Sequence, residues 1–281
     1  MKNVAVLLCL YHGDHPKWFA QALDSLQEQS YPQERIHIYL GIDGKLPPSL
    51  EEVVTQYEKN FYRIYRNEEN IGLAKSLNRL IENLEEEEFI FRMDADDLAL
   101  PGRLASQVAY LEEHPEVDML GMSIQEVNED LQPIQIRSYP QDQAAILSAI
   151  AKGSPFAHPT ICFRSRFFQQ IQGYPEHWKQ QAGVEDVALW FQALAQGIRG
   201  ANLPEVGLNF RRSQAFLGRR GLRRAWVELL VYLQGVWRLR GVHPSLLWPL
   251  LRFLTRLAPR WLRQFFYNSS LRRRLLNHRE S

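Results

Sequence analysis

Four short stretches of the 281-residue chain carry side chains able to do chemistry. Asp94-Ala95-Asp96-Asp97 directly follows the largely apolar run Phe89 to Met93. Three carboxylates at one strand end repel one another. A hard divalent cation, Mg²⁺ or Mn²⁺, relieves that repulsion and keeps phosphate and water among its ligands. The same residues also suit an Asp-rich turn that caps the next helix. Asp43-Gly44 is a favoured turn pair, or an aspartate that accepts hydrogen bonds from a nucleobase or ribose. Glu185-Asp186 opens a helical stretch through Trp190 and Phe191. Acids in a first turn are favoured by the helix dipole, and a carboxylate there can also serve as a general base. His158-Pro159 stands before Thr160; a lone histidine is more often structural, and its second reading is a contact to an acceptor or a phosphate.

These residues need elements to position them, and the first half of the chain supplies alternating strands and helices. Apolar runs at 4–10, 36–42, 61–65 and 89–93 read as strands. Helical spacing appears at 18–26, 50–57, 71–81 and 101–113. Such alternation predicts a mostly parallel sheet with helices on both faces. Ligands of such sheets gather at the carboxyl ends of the strands, where Asp43 and Asp94–Asp97 fall. Further on, 117–124, 160–163 and 199–210 read as strands, 144–151 and 187–195 as helices, and 125–140 as hairpin-like. Beyond Arg211 the pattern turns helical, with Leu222, Trp226, Leu229, Leu230, Leu233 and Trp237 in one apolar stripe.

Composition excludes several classes. Two cysteines, Cys9 and Cys162, make no disulfide framework and no zinc spacing. No stretch reaches the roughly 20 apolar residues of a spanning helix, and the short apolar start lacks a signal-peptide cleavage pattern. G-x-G-x-x-G, G-x-x-x-x-G-K-[ST], H-E-x-x-H and G-x-S-x-G are all absent. The net charge of +1 conceals an asymmetry: residues 1–210 sum to −13 and residues 211–281 to +14, with sixteen arginines and only Glu228 and Glu280 in the latter part. So basic a segment seeks anions.

The order of the motifs resembles the family 2 inverting glycosyltransferases of the GT-A fold, in particular bacterial exopolysaccharide and O-antigen enzymes of the amylovoran-biosynthesis type. The resemblance rests on the opening strand Val4–Tyr11, Asp43-Gly44, Asn70-Ile71-Gly72-Leu73 with Leu77-Asn78, and Arg92-Met93-Asp94-Ala95-Asp96-Asp97 followed by Pro101 and Arg103-Leu104. His158-Pro159-Thr160, Gly173-Tyr174 and Glu185-Asp186 with Leu189-Trp190 complete it. Ile42 departs from the pattern, since many members carry an aspartate there. The Gln-x-x-Arg-Trp motif of processive synthases is absent, which implies transfer of one sugar.

The resemblance implies a Rossmann-like α/β catalytic domain at 1–210; the charge and the helical pattern make 211–281 an Arg-rich helical extension. It implies a nucleotide-diphosphate sugar donor, a UDP-sugar, held by Cys9, Leu10, Tyr11, Asp43, Asn78, Asp94, Ala95 and Asp96. Asp96 with Asp97 takes Mn²⁺ or Mg²⁺. Asp186 is the carried-over base, with Glu185 beside it, and His158 is a candidate acceptor contact. The extension carries Arg219, Arg220, Arg223 and Arg224 beside its apolar stripe, and Trp237, Trp248, Phe253, Trp261, Phe265 and Phe266 among further arginines. That pattern suits an anionic bilayer surface, where a polyprenyl-diphosphate-linked saccharide would present its acceptor hydroxyl. The expected location is cytoplasmic, peripheral at the inner face of the membrane. The competing arrangement packs the basic helices on the acidic domain. A catalytically dead scaffold is the alternative function, and nucleic-acid binding is not expected, because no recognition motif accompanies the charge.

Overall fold

Val4–Tyr11 forms the first strand, β1, and its alternate side chains enter two different cores. Ala5 and Leu7 face one side of a sheet; Val4, Val6, Leu8 and Leu10 face the other. A strand buried on both faces is the mark of a sheet covered by helices twice over. The computed structural model describes residues 2–176, 183–212 and 222–257. Within them follow α1 (Pro16–Gln27), β2 (Ile36–Asp43), α2 (Pro48–Gln56), β3 (Phe61–Asn67), α3 (Leu73–Ile81), β4 (Phe89–Met93), the short β5 (Leu98–Ala99) and α4 (Arg103–Glu113). Then come β6 (Met119–Val127), β7 (Pro133–Arg137), α5 (Gln143–Ala149), β8 (Cys162–Arg164), α6 (Ser165–Ile171), α7 (Glu185–Ala195), β9 (Gly200–Arg211), α8 (Leu222–Arg240) and α9 (Leu247–Leu257).

All nine strands join one sheet, ordered β3-β2-β1-β4-β8-β6-β9-β5, with β7 paired to β6. The long pairings, β1 with β2 and β4, β2 with β3, and β6 with β9, are parallel. The short ones through β5, β7 and β8 are antiparallel. The chain runs outward from β1 to β3 and returns to the other side of β1 for β4. That reversal leaves a crevice at the carboxyl ends of β1 and β4, the place where open α/β sheets bind ligands. Cys9–Tyr11 and Asp94–Asp97 flank it.

One core packs α1, α2 and α4 on the sheet through Phe19, Leu23, Leu50, Leu104 and Leu111. The other packs α3, α5, α6, α7 and α8. Seven of the eleven α7 residues are buried, because α7 lies between the sheet and α8 and has little face left for solvent. Gly235 of α8 lets the two helices meet closely: a Cβ there would stand 2.2 Å from the Phe191 ring.

Several details differ from the pattern in the sequence. α4 starts at Arg103 rather than Pro101, since Pro101 and Gly102 form a turn. His158–Thr160 is a single 3-10 turn closed by the Ile161 N–H on the His158 carbonyl, so β8 starts only at Cys162. β5, α6 and α9 are additional elements. The apolar stripe of α8 is two faces: Ala225, Leu229, Tyr232 and Val236 face inward, while Leu222, Trp226, Leu230 and Trp237 are exposed. Steps of three or four along the inward row, and of four and seven along the outward one, keep each on its own face. Arg219, Arg220, Trp261, Phe265 and Phe266 lie outside the described residues.

Candidate functional site

β4 ends at Met93, and the chain turns there through Asp94–Asp97. One oxygen from each of Asp94, Asp96 and Asp97 lies within 4.8 Å of the others, the only such acidic group among the described residues. Arg92, 2% exposed, pairs through Nη2 with Asp94 Oδ1 from beneath. Asp97 is fully buried; its Oδ1 accepts the Arg211 backbone N–H at 2.9 Å, and its Oδ2 meets no donor. Burial, then the Asp94 charge, pushes the Asp96 carboxyl up to about 6. Burial, then its two acidic neighbours, holds Asp97 well above the usual range. Carboxyls so raised bind protons in the absence of another cation. The orphaned Asp97 Oδ2 and the mutual repulsion both fit a divalent cation held by oxygen ligands.

Sequence reading passed over the residue that locks this loop. Arg211, the last residue of β9, donates from Nε to the Asp96 carbonyl (2.9 Å), from Nη1 to the Glu129 carbonyl and from Nη2 to Gln21 Oε1 (2.9 Å). Its guanidinium also lies 5.0 Å from the centre of the Trp18 ring. The acid loop, the β6–β7 turn, α1 and the end of β9 are thereby one unit. Arg103 supports the same loop from below, donating to the Arg92 carbonyl at 2.7 Å; burial pushes its guanidinium down to about 10.

Asp43 ends β2, 5% exposed. Its Oδ1 accepts Asn67 Nδ2 (3.0 Å) and the Ile71 N–H (2.8 Å), and its Oδ2 accepts the Gly72 N–H (2.9 Å). Gly72, at φ +91, turns the chain into α3. In this structure, then, Asp43 organises the 67–72 loop beside the crevice. Asn78, expected to touch the nucleotide, spends its amide elsewhere. Nδ2 donates to the Tyr174 carbonyl and Glu176 Oε1, and Oδ1 accepts the Tyr174 N–H at 2.6 Å. It clamps the 173–176 segment, and the approach is close enough that a Cβ on Gly173 would stand 2.5 Å from Asn78 Oδ1. Leu10 and Ala95 are buried in the core, so they offer a ligand main chain only. The Tyr11 backbone N–H donates to Asp14 Oδ2 at 2.8 Å. Burial raises the Cys9 thiol to about 12, so it stays protonated.

The second acidic feature is the start of α7. Asp186 is partly buried, and burial, followed by the Glu185 charge, pushes its carboxyl up to about 7. Burial above all raises the Tyr174 phenol, which also feels the Arg92, Asp186 and Glu185 charges. His158 Nε2 bonds the Tyr174 hydroxyl at 2.8 Å, and its ring meets the Trp190 ring edge-on. Burial, then Arg92, holds the imidazole well below its usual range, hence neutral. His158 therefore props Tyr174, with Nε2 already bonded. Arg224 of α8 donates to the Gly183 carbonyl at 3.0 Å, just before the acid pair.

Residues 5–171 match the family described as Glycosyl transferase family 2. The chain is 31% identical to an uncharacterized glycosyltransferase of Haemophilus influenzae over 96% of its length and 99% of that protein's. It is 31% identical to the amylovoran biosynthesis glycosyltransferase AmsE of Erwinia amylovora, covering 94% of this chain and 97% of the relative. An Escherichia coli UDP-Gal:alpha-D-GlcNAc-diphosphoundecaprenol beta-1,3-galactosyltransferase is 26% identical over 77% of each. Among solved structures, S. aureus TarS 1-349 in complex with UDP-GlcNAc superposes with a TM-score of 0.66 at 19% identity, covering 90% of this chain and 72% of TarS 1-349. The mannosyltransferase PcManGT of Pyrobaculum calidifontis, with GDP-Man and Mn²⁺, gives 0.63 at 16% identity, covering 98% and 83%. By family and by fold, the chain is a glycosyltransferase of family 2 with the GT-A architecture.

Proposed function

We propose that the chain transfers a single sugar from a UDP-sugar to a hydroxyl of a lipid-linked saccharide, with inversion at the anomeric carbon, in the assembly of a cell-surface polysaccharide. The observation that carries this reading is the carboxylate cluster at the end of β4, with its unpartnered, buried Asp97 Oδ2; Asp186 at the start of α7 is a second acidic feature, its carboxyl near 7. A base is most effective when its pKa lies near the working pH. The named activities of the relatives support the donor and acceptor classes: one uses UDP-Gal and a diphosphoundecaprenol-linked sugar, and TarS binds UDP-GlcNAc.

Asp94, Asp96 and Asp97 would hold a divalent cation, Mn²⁺ or Mg²⁺, which when bound neutralises charge on the donor diphosphate. Asp94 and the main chain at Cys9–Tyr11 and Ala95 hold the nucleotide at the β1–β4 crevice, and Asp43 shapes the neighbouring 67–72 wall. The acceptor oxygen attacks the anomeric carbon as Asp186 takes its proton. The bond from that carbon to the diphosphate oxygen breaks, and the nucleoside diphosphate leaves with the electron pair. One displacement inverts the centre, the logic by which inverting glycosidases use a carboxylate to activate the attacking oxygen. Burial first, and the Glu185 charge second, keep Asp186 basic. The basic C-terminal part attaches the enzyme to the anionic membrane that carries the acceptor.

Thermal shift of the full chain across nucleotide sugars, with and without Mn²⁺, tests the donor and the cation, since a ligand that binds only the native state raises stability. A cation-dependent shift by one UDP-sugar is expected. Equal shifts with chelator present would remove the cation from the scheme.

A further inference from the structure

α8 and α9 form a two-helix platform whose outer face is apolar. On α8, Leu222, Trp226, Leu230 and Trp237 follow one another by about whole turns, and all are exposed, Leu222 at 68% and Trp237 at 60%. On α9, Leu247, Leu250, Leu251 and Leu254 repeat the pattern, again exposed. The Trp226 ring meets the Phe253 ring at 5.6 Å, so the two stripes adjoin. Arg252 locks the helices from within by pairing with Glu228 at 2.6 Å, and its guanidinium lies 5.1 Å from the centre of the Tyr232 ring. Soluble surfaces rarely gather so many large apolar side chains in one patch.

The charges around the face select its occupant. Glu228 is the sole acid of 222–257, and it is turned inward against Arg252. Arg223 and Arg238 are exposed at the two ends of α8. A second copy docked here would set arginine against arginine. Residues 258–281 carry six arginines against one glutamate, so they leave the positive charge uncompensated. No helix among the described residues is long and apolar enough to cross a membrane. Tryptophan and leucine on one face with arginine at its margin, and no spanning length, is the pattern of a helix lying in a lipid interface.

We infer that the α8–α9 face inserts into the headgroup–acyl boundary of an anionic bilayer, and that it holds the start of α7 one helix layer from the lipid. α8 packs directly on α7 and bonds Gly183 through Arg224. The inference rests on the lipid-linked acceptor reading for its purpose, yet its mechanism is separate: attachment is shared between arginine, which salt screens, and buried leucine and tryptophan, which salt does not.

The test is co-sedimentation of the full chain with vesicles of phosphatidylglycerol in phosphatidylcholine, at about 0.1 and about 1 M salt, where the Debye lengths are roughly 10 and 3 Å. Wild type is expected to pellet at low salt and to keep part of its binding at high salt. Leu230→Gln/Leu251→Gln/Leu254→Gln should bind at least ~30-fold more weakly at both salts, the scale of losing three partly inserted leucines. Arg223→Gln/Arg238→Gln should weaken binding several-fold at low salt only. Transfer to a short soluble acceptor, and its melting temperature, control for folding in each variant. Unchanged vesicle binding by a folded triple-leucine variant would overturn the inference. So would wild type that stays in solution at low salt, or a wild-type dimer that the leucine variant splits into monomers. Failure of sugar transfer with vesicle binding intact would instead count against the proposed activity.

Discussion

Replacing Asp186 with asparagine should make the protein more stable at pH 8 while it stops turning over. The carboxyl is carried from an ordinary value of about 3.9 to about 7, by burial first and the Glu185 charge second. A raised carboxyl binds its proton more tightly in the folded chain than in the unfolded one, so stability falls as pH rises between the two values and stays low above the higher. At about 1.4 kcal/mol per pH unit, a rise of some three units gives a ceiling of ~4 kcal/mol. The carboxyl is partly exposed, and solvent screening reduces the share to ~1–2 kcal/mol. Asp186→Asn keeps the shape and removes the ionisation. Urea unfolding at about pH 3.5, 5 and 8 reads the difference: the variant should gain ~1–2 kcal/mol on wild type at pH 8, roughly a third of that at pH 5, and almost nothing at pH 3.5. Its turnover should fall at least ~10²-fold, the lower range for loss of a general base, with donor binding retained. In wild type, kcat/KM should rise with pH through a limb near 7, and the variant should lack that limb. Asp186→Asn less stable than wild type at pH 8 and still active would refute the reasoning, since it would make Asp186 a structural cap.

Asp96→Asn should abolish the Mn²⁺-dependent rise in melting temperature given by the donor while circular dichroism stays unchanged; a Mn²⁺-dependent rise of wild-type size would exclude Asp96 as a ligand. Arg211→Met removes the bonds to the Asp96 and Glu129 carbonyls and to Gln21. It should cost ~3 kcal/mol in urea unfolding, in the range for a buried charged group with several partners; a loss under about 1 kcal/mol would show the loop holds without it. Gly173→Ala places a Cβ 2.5 Å from Asn78 Oδ1 at φ +101. It should lower stability by ~2 kcal/mol in urea unfolding, and an unchanged midpoint would show that the Asn78 clamp yields without cost.

Much of the frame is legible from local pattern. β1, β2 and β4 are short apolar runs, and their order with the intervening helices predicts a crevice at their carboxyl ends before any coordinates. The acid cluster is legible too, because its three carboxylates are neighbours in sequence. What the sequence hides is set by distant register. Asp43 reads as a turn residue or a ligand contact, and its partners Asn67, Ile71 and Gly72 come to it only once β3 is paired with β2. Arg211 has partners 82 to 190 residues away, so nothing in its own neighbourhood signals a keystone. Asn78 resembles a family position for the nucleotide, yet the bond that decides its role reaches 96 residues along the chain to Tyr174. His158 likewise gains its meaning from Tyr174, sixteen residues on. α8 reads as one apolar stripe because apolar side chains stand on both of its faces, and only packing tells the inward row from the outward.

The contact of Gly235 with Phe191 bears on how such enzymes can be recombined. A charge map of the chain invites a cut near residue 211, leaving an acidic catalytic piece and a basic piece to be exchanged between relatives. The packing does not divide there. Val231, Tyr232 and Val236 belong to the same core as Trp190 and Phe191, and the ring of Phe191 occupies the space any side chain at 235 would need. A chimera that keeps α7 from one parent and takes α8 from another joins two surfaces shaped for different partners, and the carboxylate at the head of α7 moves with the mismatch. The unit to exchange is therefore the α7–α8 pair, and a graft that carries both helices together transplants the acid pair at the head of α7 along with the surface behind it.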